Sequence, residues 1–186
     1  MLTASFTPFP EIRTERLRLR RILAADAPAL LDLRTNDGVM RYLDREPPTG
    51  ISDINDLIAL IDKGIATDDA ITWGICLETE PETIIGTIGY WSMTKAHYRA
   101  QLGYMLQPAH WRKGLMQEAL KAVIRFGFDI MNLHSIEAHI NPHNDASAAI
   151  LEKHGFVREA YFREDYFFRG KFIDTAIYSL LTDKPQ

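Results

Sequence analysis

The sequence predicts one α/β domain, a mixed and mostly antiparallel sheet of about seven strands with one parallel pair, flanked by helices. Three observations predict it. Residues 99–106, a long helix opening at Gly114 and residues 134–140 form a strand–helix–strand crossover, which sets two strands parallel with a right-handed connection. Residues 71–77 with 83–90, and 156–168 with 171–181, read as hairpins, so most other pairings are antiparallel. Between residues 26 and 65 lies a helical hairpin whose apolar stripe suits packing on a sheet.

Taken in order, residues 1–12 carry Pro8 and Pro10 and read as an N-terminal arm with little order of its own. In residues 15–22 leucine alternates with arginine, the period of a half-exposed strand whose arginines form a solvated face. Asp26 caps a first helix with Pro28 in its first turn, and Ser52 caps a second carrying Ile54, Leu57, Ile58, Ile61 and Ile65. Gly38 and the run Pro47-Pro48-Thr49-Gly50 break the chain between them. From Ile71 the period becomes two, and Cys76 reads as a buried structural thiol. Gln107-Pro108 ends the strand 99–106, and the next helix shows Leu115, Ala119, Ala122, Val123, Phe126 and Ile130 on one face. Asn141 to Asn144 turn into a short helix that ends at Gly155, and Arg169-Gly170 make a tight turn between the last two strands. Tyr166, Phe167 and Phe168 suit either a homodimer interface or core packing.

Composition narrows the function classes. The 186 residues fit a single domain, 1–186. With 21 Lys+Arg against 25 Asp+Glu the general basic surface needed for direct nucleic-acid binding is lacking. One cysteine forms no internal disulfide, the first residues do not read as a signal peptide, and no apolar run approaches the roughly 18 residues of a membrane span. The expectation is a cytoplasmic protein that does not enter the membrane. Its six histidines stand at no metal-ligand spacing, so no metal is expected.

Beyond the carboxyl ends of the parallel strands lie two helix starts, near Gly114 and Ala146. Each presents unpaired backbone N–H groups and a partial positive charge, and Trp111-Arg112-Lys113 adds two cations to the first. That is a phosphate site in outline.

The succession Leu102-Gly103-Tyr104-Met105-Leu106, Gly114-Leu115-Met116-Gln117-Glu118-Ala119-Leu120, Asn141-Pro142-His143-Asn144-Asp145-Ala146-Ser147 and Leu151-Glu152-Lys153-His154-Gly155-Phe156 resembles the GNAT acetyltransferases. Thr14-Glu15-Arg16-Leu17-Arg18-Leu19-Arg20 and Gly170-Lys171-Phe172-Ile173-Asp174 resemble the RimJ/RimL-type branch, ribosomal-protein N-terminal acetyltransferases. The resemblance implies acetyl transfer from acetyl-CoA to a primary amine, by direct attack in a ternary complex. The acceptor would be a small molecule or a protein N-terminus, for instance that of a ribosomal protein. It further implies that the parallel strands splay into a wedge. Pantetheine would lie along Tyr104, Met105 and Leu106, and the diphosphate on Trp111, Arg112, Lys113, Gly114, Leu115 and Met116. Of the family's Gln/Arg-x-x-Gly-x-Gly/Ala pattern, only the middle glycine, Gly114, is kept. Asn144 matches a residue that holds the pantetheine arm, and also reads as a helix cap.

The chemistry then assigns roles. The tetrahedral oxyanion needs a fixed donor, the backbone N–H of Tyr104 or Met105. Many relatives protonate the departing thiolate with a tyrosine four residues before the Gly-Phe pair. Leu151 stands there, while Ser147 matches the serine that serves as proton donor in the RimL-type pattern. The resemblance therefore implies that role for Ser147, which also reads as a first-turn residue satisfying backbone groups. Gln101 takes a strand position where relatives often carry glutamate, and glutamine takes no proton. Glu164 and its neighbour Asp165 lie near where the resembled branch offers a carboxylate. The resemblance thus implies Glu164 or Asp165 as the general base, each reading equally as a solvated strand charge. Gln101 and Leu151 also favour the competing reading, a catalytically silent CoA-binding module. The helical hairpin around residues 43–51, the last strands and the loop 91–98 are expected to line the acceptor pocket.

Overall fold

The computed structural model describes residue 2 and residues 4–183; residues 1 and 3 of the arm and residues 184–186 at the end of the domain lie outside the described residues. The chain runs β1 (Ile12–Arg13), β2 (Leu17–Arg21), α1 (Ala27–Thr35), α2 (Asp37–Met40), α3 (Ile51–Ala66), β3 (Ile71–Leu77) and β4 (Glu80–Thr94). It continues through β5 (Arg99–Leu106), α4 (Leu115–Asp129), β6 (Ser135–Ile140), α5 (Asp145–Lys153), β7 (Val157–Phe168) and β8 (Lys171–Leu181). One eight-stranded sheet, ordered β1-β2-β3-β4-β5-β6-β8-β7, holds all of them, and β5–β6 is its parallel pair. The strand beyond the expected seven is β1, two residues paired with β2.

The sheet is sandwiched. On one face α1 and α3 bury Leu30, Leu33, Ile54 and Ile58 against Ile22, Cys76 and Ile84. On the other, Leu115, Ala119, Leu120 and Val123 of α4 and Leu151 of α5 pack with Trp73, Tyr90, Leu102 and Ile136. Ile130 falls past the end of α4 and is exposed, because the helix stops one residue short of it.

Several expectations are corrected. The arm is built in: Leu2 and Phe6 are buried, Phe9 packs edge-on to Trp73, and Trp73 Nε1 donates to the Pro10 carbonyl at 2.7 Å. Prolines remove backbone donors but do not stop flanking aromatics from covering a sheet edge. Arg20 is no solvated strand charge. It is buried, and its guanidinium donates to both Asp26 oxygens at 2.8 Å and to the carbonyls of Pro81, Arg21 and Glu82. Asp26 is therefore a partner for Arg20 and for the Leu23 N–H, with no side-chain cap on α1. For α3 the boundary residue is Gly50, and Asp53 accepts from the Thr49 N–H and hydroxyl. Tyr166 and Phe167 are exposed on the edge strand β7, and Phe168 is half-buried, so Tyr166 and Phe167 do not pack into the core.

Close packing gives one stability prediction. Gly127 of α4 faces Tyr90, whose buried hydroxyl donates to the Val123 carbonyl at 2.9 Å, and an added Cβ would collide with that hydroxyl. Gly127→Ala is expected to cost about 1–3 kcal/mol despite the better helix propensity of alanine. Urea denaturation should show a lower midpoint at unchanged slope.

Candidate active site

The site begins where β5 and β6 part. They pair in register only at Arg99↔Ser135, Ala100↔Ile136 and Gln101↔Glu137. Beyond that β5 follows β4 to Leu106, while β6 follows β8 to Ile140. A strand alternates its backbone polar groups from side to side. The Tyr98 carbonyl accepts from His134 on the β6 side, and the Gln107 N–H donates to Ile85 on the β4 side. Even-numbered β5 groups therefore look into the wedge: Tyr104 offers its N–H there, and the Met105 N–H is turned to β4. Of the two oxyanion donors the sequence allowed, only Tyr104 faces the wedge.

At the wedge mouth, Trp111 Nε1 donates to the Leu106 carbonyl at 2.7 Å. Arg112 (φ 60°) and Gly114 (φ 75°) both take the left-handed conformation, which curls the chain into the start of α4. No side chain caps that start, and the first amide with a helical partner is Glu118, bonded to the Gly114 carbonyl at 3.1 Å. Amides of the first turn are left as donors for an anion. Arg112, Lys113 and Gly114 are exposed, Met116 is half-buried and Leu115 is anchored in the core.

A clamp that sequence reasoning missed fixes this loop. Arg16 Nη1 donates to the Lys113 carbonyl at 3.0 Å, while its backbone N–H and Nε donate to Glu118 at 2.8 and 2.7 Å. Glu118 also accepts from the Thr14 hydroxyl. Burial pushes the Glu118 carboxyl up, but the bonds from Thr14 and Arg16 outweigh it and hold the group below the usual carboxylate range. Only the period-two placement of Arg16 was visible in sequence, not its partner 102 residues away.

On the α4/α5 side of the wedge, the Tyr104 hydroxyl and Ser147 Oγ lie 2.7 Å apart, and either can donate. Asn144 caps α5 by accepting from the Ser147 N–H at 3.1 Å, which locks Ser147 in the first turn. Burial pushes the Tyr104 phenol up to about 12, against the opposing pull of the Ser147 bond. Leu151 is fully buried among core side chains.

On the α1/α3 face the register sets Gln101 beside Glu137. The Glu137 carboxylate receives Arg99 at 3.0 Å and stands 3.3 Å from His139 Nε2. Trp91, nearly half exposed, lies over Gly103, where a Cβ would sit 2.9 Å from the indole nitrogen. Sequence reasoning did not bring Glu137 beside Gln101, because strand register is set by packing and not by local pattern. Glu164 is exposed on β7 with φ 54°, and its N–H donates to Asp174 Oδ1 at 2.8 Å. Asp174, which also accepts from the Tyr161 hydroxyl, is held low by those two bonds. No bond links Glu164 or Asp165 to Tyr104 or Ser147 among the described residues. Nor is any group of three or more His, Cys, Asp or Glu placed to hold a metal there. No described helix is long and apolar enough to cross a membrane.

Comparison with known proteins agrees with this geometry. The family described as acetyltransferase (GNAT) domain matches residues 16–157. The uncharacterized N-acetyltransferase YoaA of Bacillus subtilis (strain 168) is 34% identical over 173 residues, 93% of this chain and 97% of its own. The ribosomal protein uS5 alanine N-acetyltransferase of Escherichia coli (strain K12) is 31% identical over 106 residues, 56% of this chain and 55% of its own. In fold, the spermidine N-acetyltransferase of Vibrio cholerae, solved with CoA and spermine, superposes with a TM-score of 0.80 at 23% identity, covering 90% of this chain and 96% of that one. The wedge, the uncapped helix start and the family match converge: the chain belongs to the GNAT family and is an acetyl-CoA-dependent N-acetyltransferase.

Proposed function

We propose that the enzyme works by direct attack in a ternary complex, on a small amine or a protein N-terminus, within the RimJ/RimL-type branch. The observation that carries this reading is the wedge, with the Tyr104 N–H aimed into it and different side chains on its two faces. Acetyl-CoA lies with pantetheine along Tyr104 to Leu106, the Asn144 amide nitrogen beside it, and its diphosphate on residues 111–116. The amine nitrogen forms a bond to the thioester carbon, and the oxyanion is held by the Tyr104 N–H. As the C–S bond breaks, the thiolate takes a proton from the Tyr104–Ser147 pair. The proton lost by the nitrogen goes to a carboxylate on the acceptor face, which we assign to Glu137 with His139, and not to Glu164. The expected setting is the cytoplasm. A homodimer, if formed, would use the exposed rings of β7.

A thiol-release assay with a panel of amines tests this. Ser147→Ala and Tyr104→Phe should each lower kcat by about 10–100-fold. The step is modest because a thiol of pKa about 8.5 leaves without obligatory help. Acetyl-CoA affinity should hold within threefold. Tight CoA binding with no turnover on any amine would overturn the enzymatic mechanism in favour of a CoA-binding module. Since Tyr104 stays protonated to about pH 12, the wild-type rate should show no alkaline break from this group below about pH 11. Ser147→Ala removes a bond that pulls that value down, so any break moves to higher pH.

A further inference from the structure

A cavity of about 180 Å³ opens between the segment joining α1 to α3 and the β7–β8 turn, and Asp37, Arg41, Asp44, Arg45 and Arg169 are among its lining residues. One contact ties it to the wedge and another closes it. Asn141, the first residue after β6, donates through Nδ2 to Asp44 at 2.9 Å, and Arg169 closes the far wall with paired bonds to Glu46 at 2.9 and 2.6 Å.

The Arg169–Glu46 pair neutralises itself. What remains is charge of both signs: among the described residues Arg41 and Arg45 have no ion-pair partner, and neither do Asp37 and Asp44. Behind Arg45 stands Arg34, whose Nε is buried without a hydrogen-bond partner among those residues. Burial first, and then the Arg45 charge, draw Arg34 down to about 10, so a second cation stands close to Arg45. Of the two lining acids, Asp44 is the one tied to Asn141 and so to the end of β6 at the wedge. A polyamine would bring only more positive charge to the arginines, and an uncharged amine would leave both ends unanswered. The volume is below the roughly 300–1,000 Å³ of sites for drug-sized ligands, which argues against large amino-sugar acceptors.

We propose that this cavity is the acceptor subsite and takes a free amino-carboxylate, with its amine at Asp44 facing the wedge and its carboxylate on Arg41 and Arg45. The proposal rests on the acyl-transfer reading above and names its substrate class.

The test compares alanine and glutamate with alaninamide, spermidine and an alanine-led octapeptide as acceptors for the full chain. The amino-carboxylates should exceed the amide and spermidine at least tenfold in kcat/KM. In R41Q/R45Q that ratio should collapse toward one while KM for acetyl-CoA stays within twofold. Calorimetry with succinate as a probe, on the CoA-loaded protein, should show binding to wild type that is lost in R41Q/R45Q. Preference for spermidine or the octapeptide, or a ratio unchanged by R41Q/R45Q, would overturn the subsite while leaving acyl transfer standing. Arginine-dependent succinate binding with no turnover on any amine would support the subsite and overturn the acyl-transfer reading instead.

Discussion

Gly114→Glu is expected to abolish CoA binding in calorimetry, while Gly114→Ala weakens it by less than about thirtyfold. The two variants share one cost and differ in another. Gly114 sits at φ 75°, where any Cβ is strained, by about 1–2 kcal/mol. Space is not the obstacle, because a Cβ there meets only Arg16 Nη2, at 3.5 Å. What glutamate adds is a carboxylate among the amides that would receive the diphosphate. At about 5 Å from one phosphate charge and an effective dielectric of about 20, repulsion is about 3 kcal/mol, or two decades in affinity. It would also compete for Arg16, which holds the Lys113 carbonyl and Glu118 and so shapes the loop. Binding of CoA by Gly114→Glu within threefold of wild type would remove the diphosphate from this helix start. If both variants lost affinity equally, backbone geometry and not charge would be the controlling feature.

The fold was legible where hydrophobic period decides structure. The crossover of β5, α4 and β6, the hairpins and the α3 stripe each follow from a repeat within one segment. The uncapped helix start at Gly114 was legible for the same reason, since Gly114 and the helix after it are local. What escaped was every feature that depends on a partner far away in sequence. Arg20 reads as one more strand arginine until the chain folds Asp26 and the Pro81 and Glu82 carbonyls around it. Phe6 and Phe9 look like parts of a loose arm until Trp73 and Asp68 supply a surface and a hydrogen-bond acceptor. The pairing of Tyr104 with Ser147 spans 43 residues and needs both the splay of β5 and the first turn of α5, and neither segment alone encodes it.

The same argument explains why Glu137 did not stand out as a candidate base in the sequence, and it leads to the second large effect. Reading Gln101 as a lost glutamate directs attention to the next acidic strand residues, Glu164 and Asp165. Register instead sets Glu137 directly beside Gln101, on the face where Met105 meets α1 and α3. Glu137→Gln keeps the shape and forfeits an exposed-side ion pair with Arg99, worth about 1 kcal/mol or less, so the fold should persist. The turnover should not: loss of a general base costs about 10²–10⁴ in kcat near neutral pH. A merely structural role predicts a deficit independent of pH. A base that takes the acceptor's proton predicts one that shrinks as pH rises from 7 to 9, because an α-amine of pKa about 8 is by then neutral without help. Glu164→Gln is the companion measurement, read against the same amine. A large, pH-sensitive deficit in Glu164→Gln with near-normal turnover in Glu137→Gln would return the proton to β7. The opposite pattern assigns it to the fork between β5 and β6, where His139 Nε2 lies 3.3 Å from the Glu137 carboxylate.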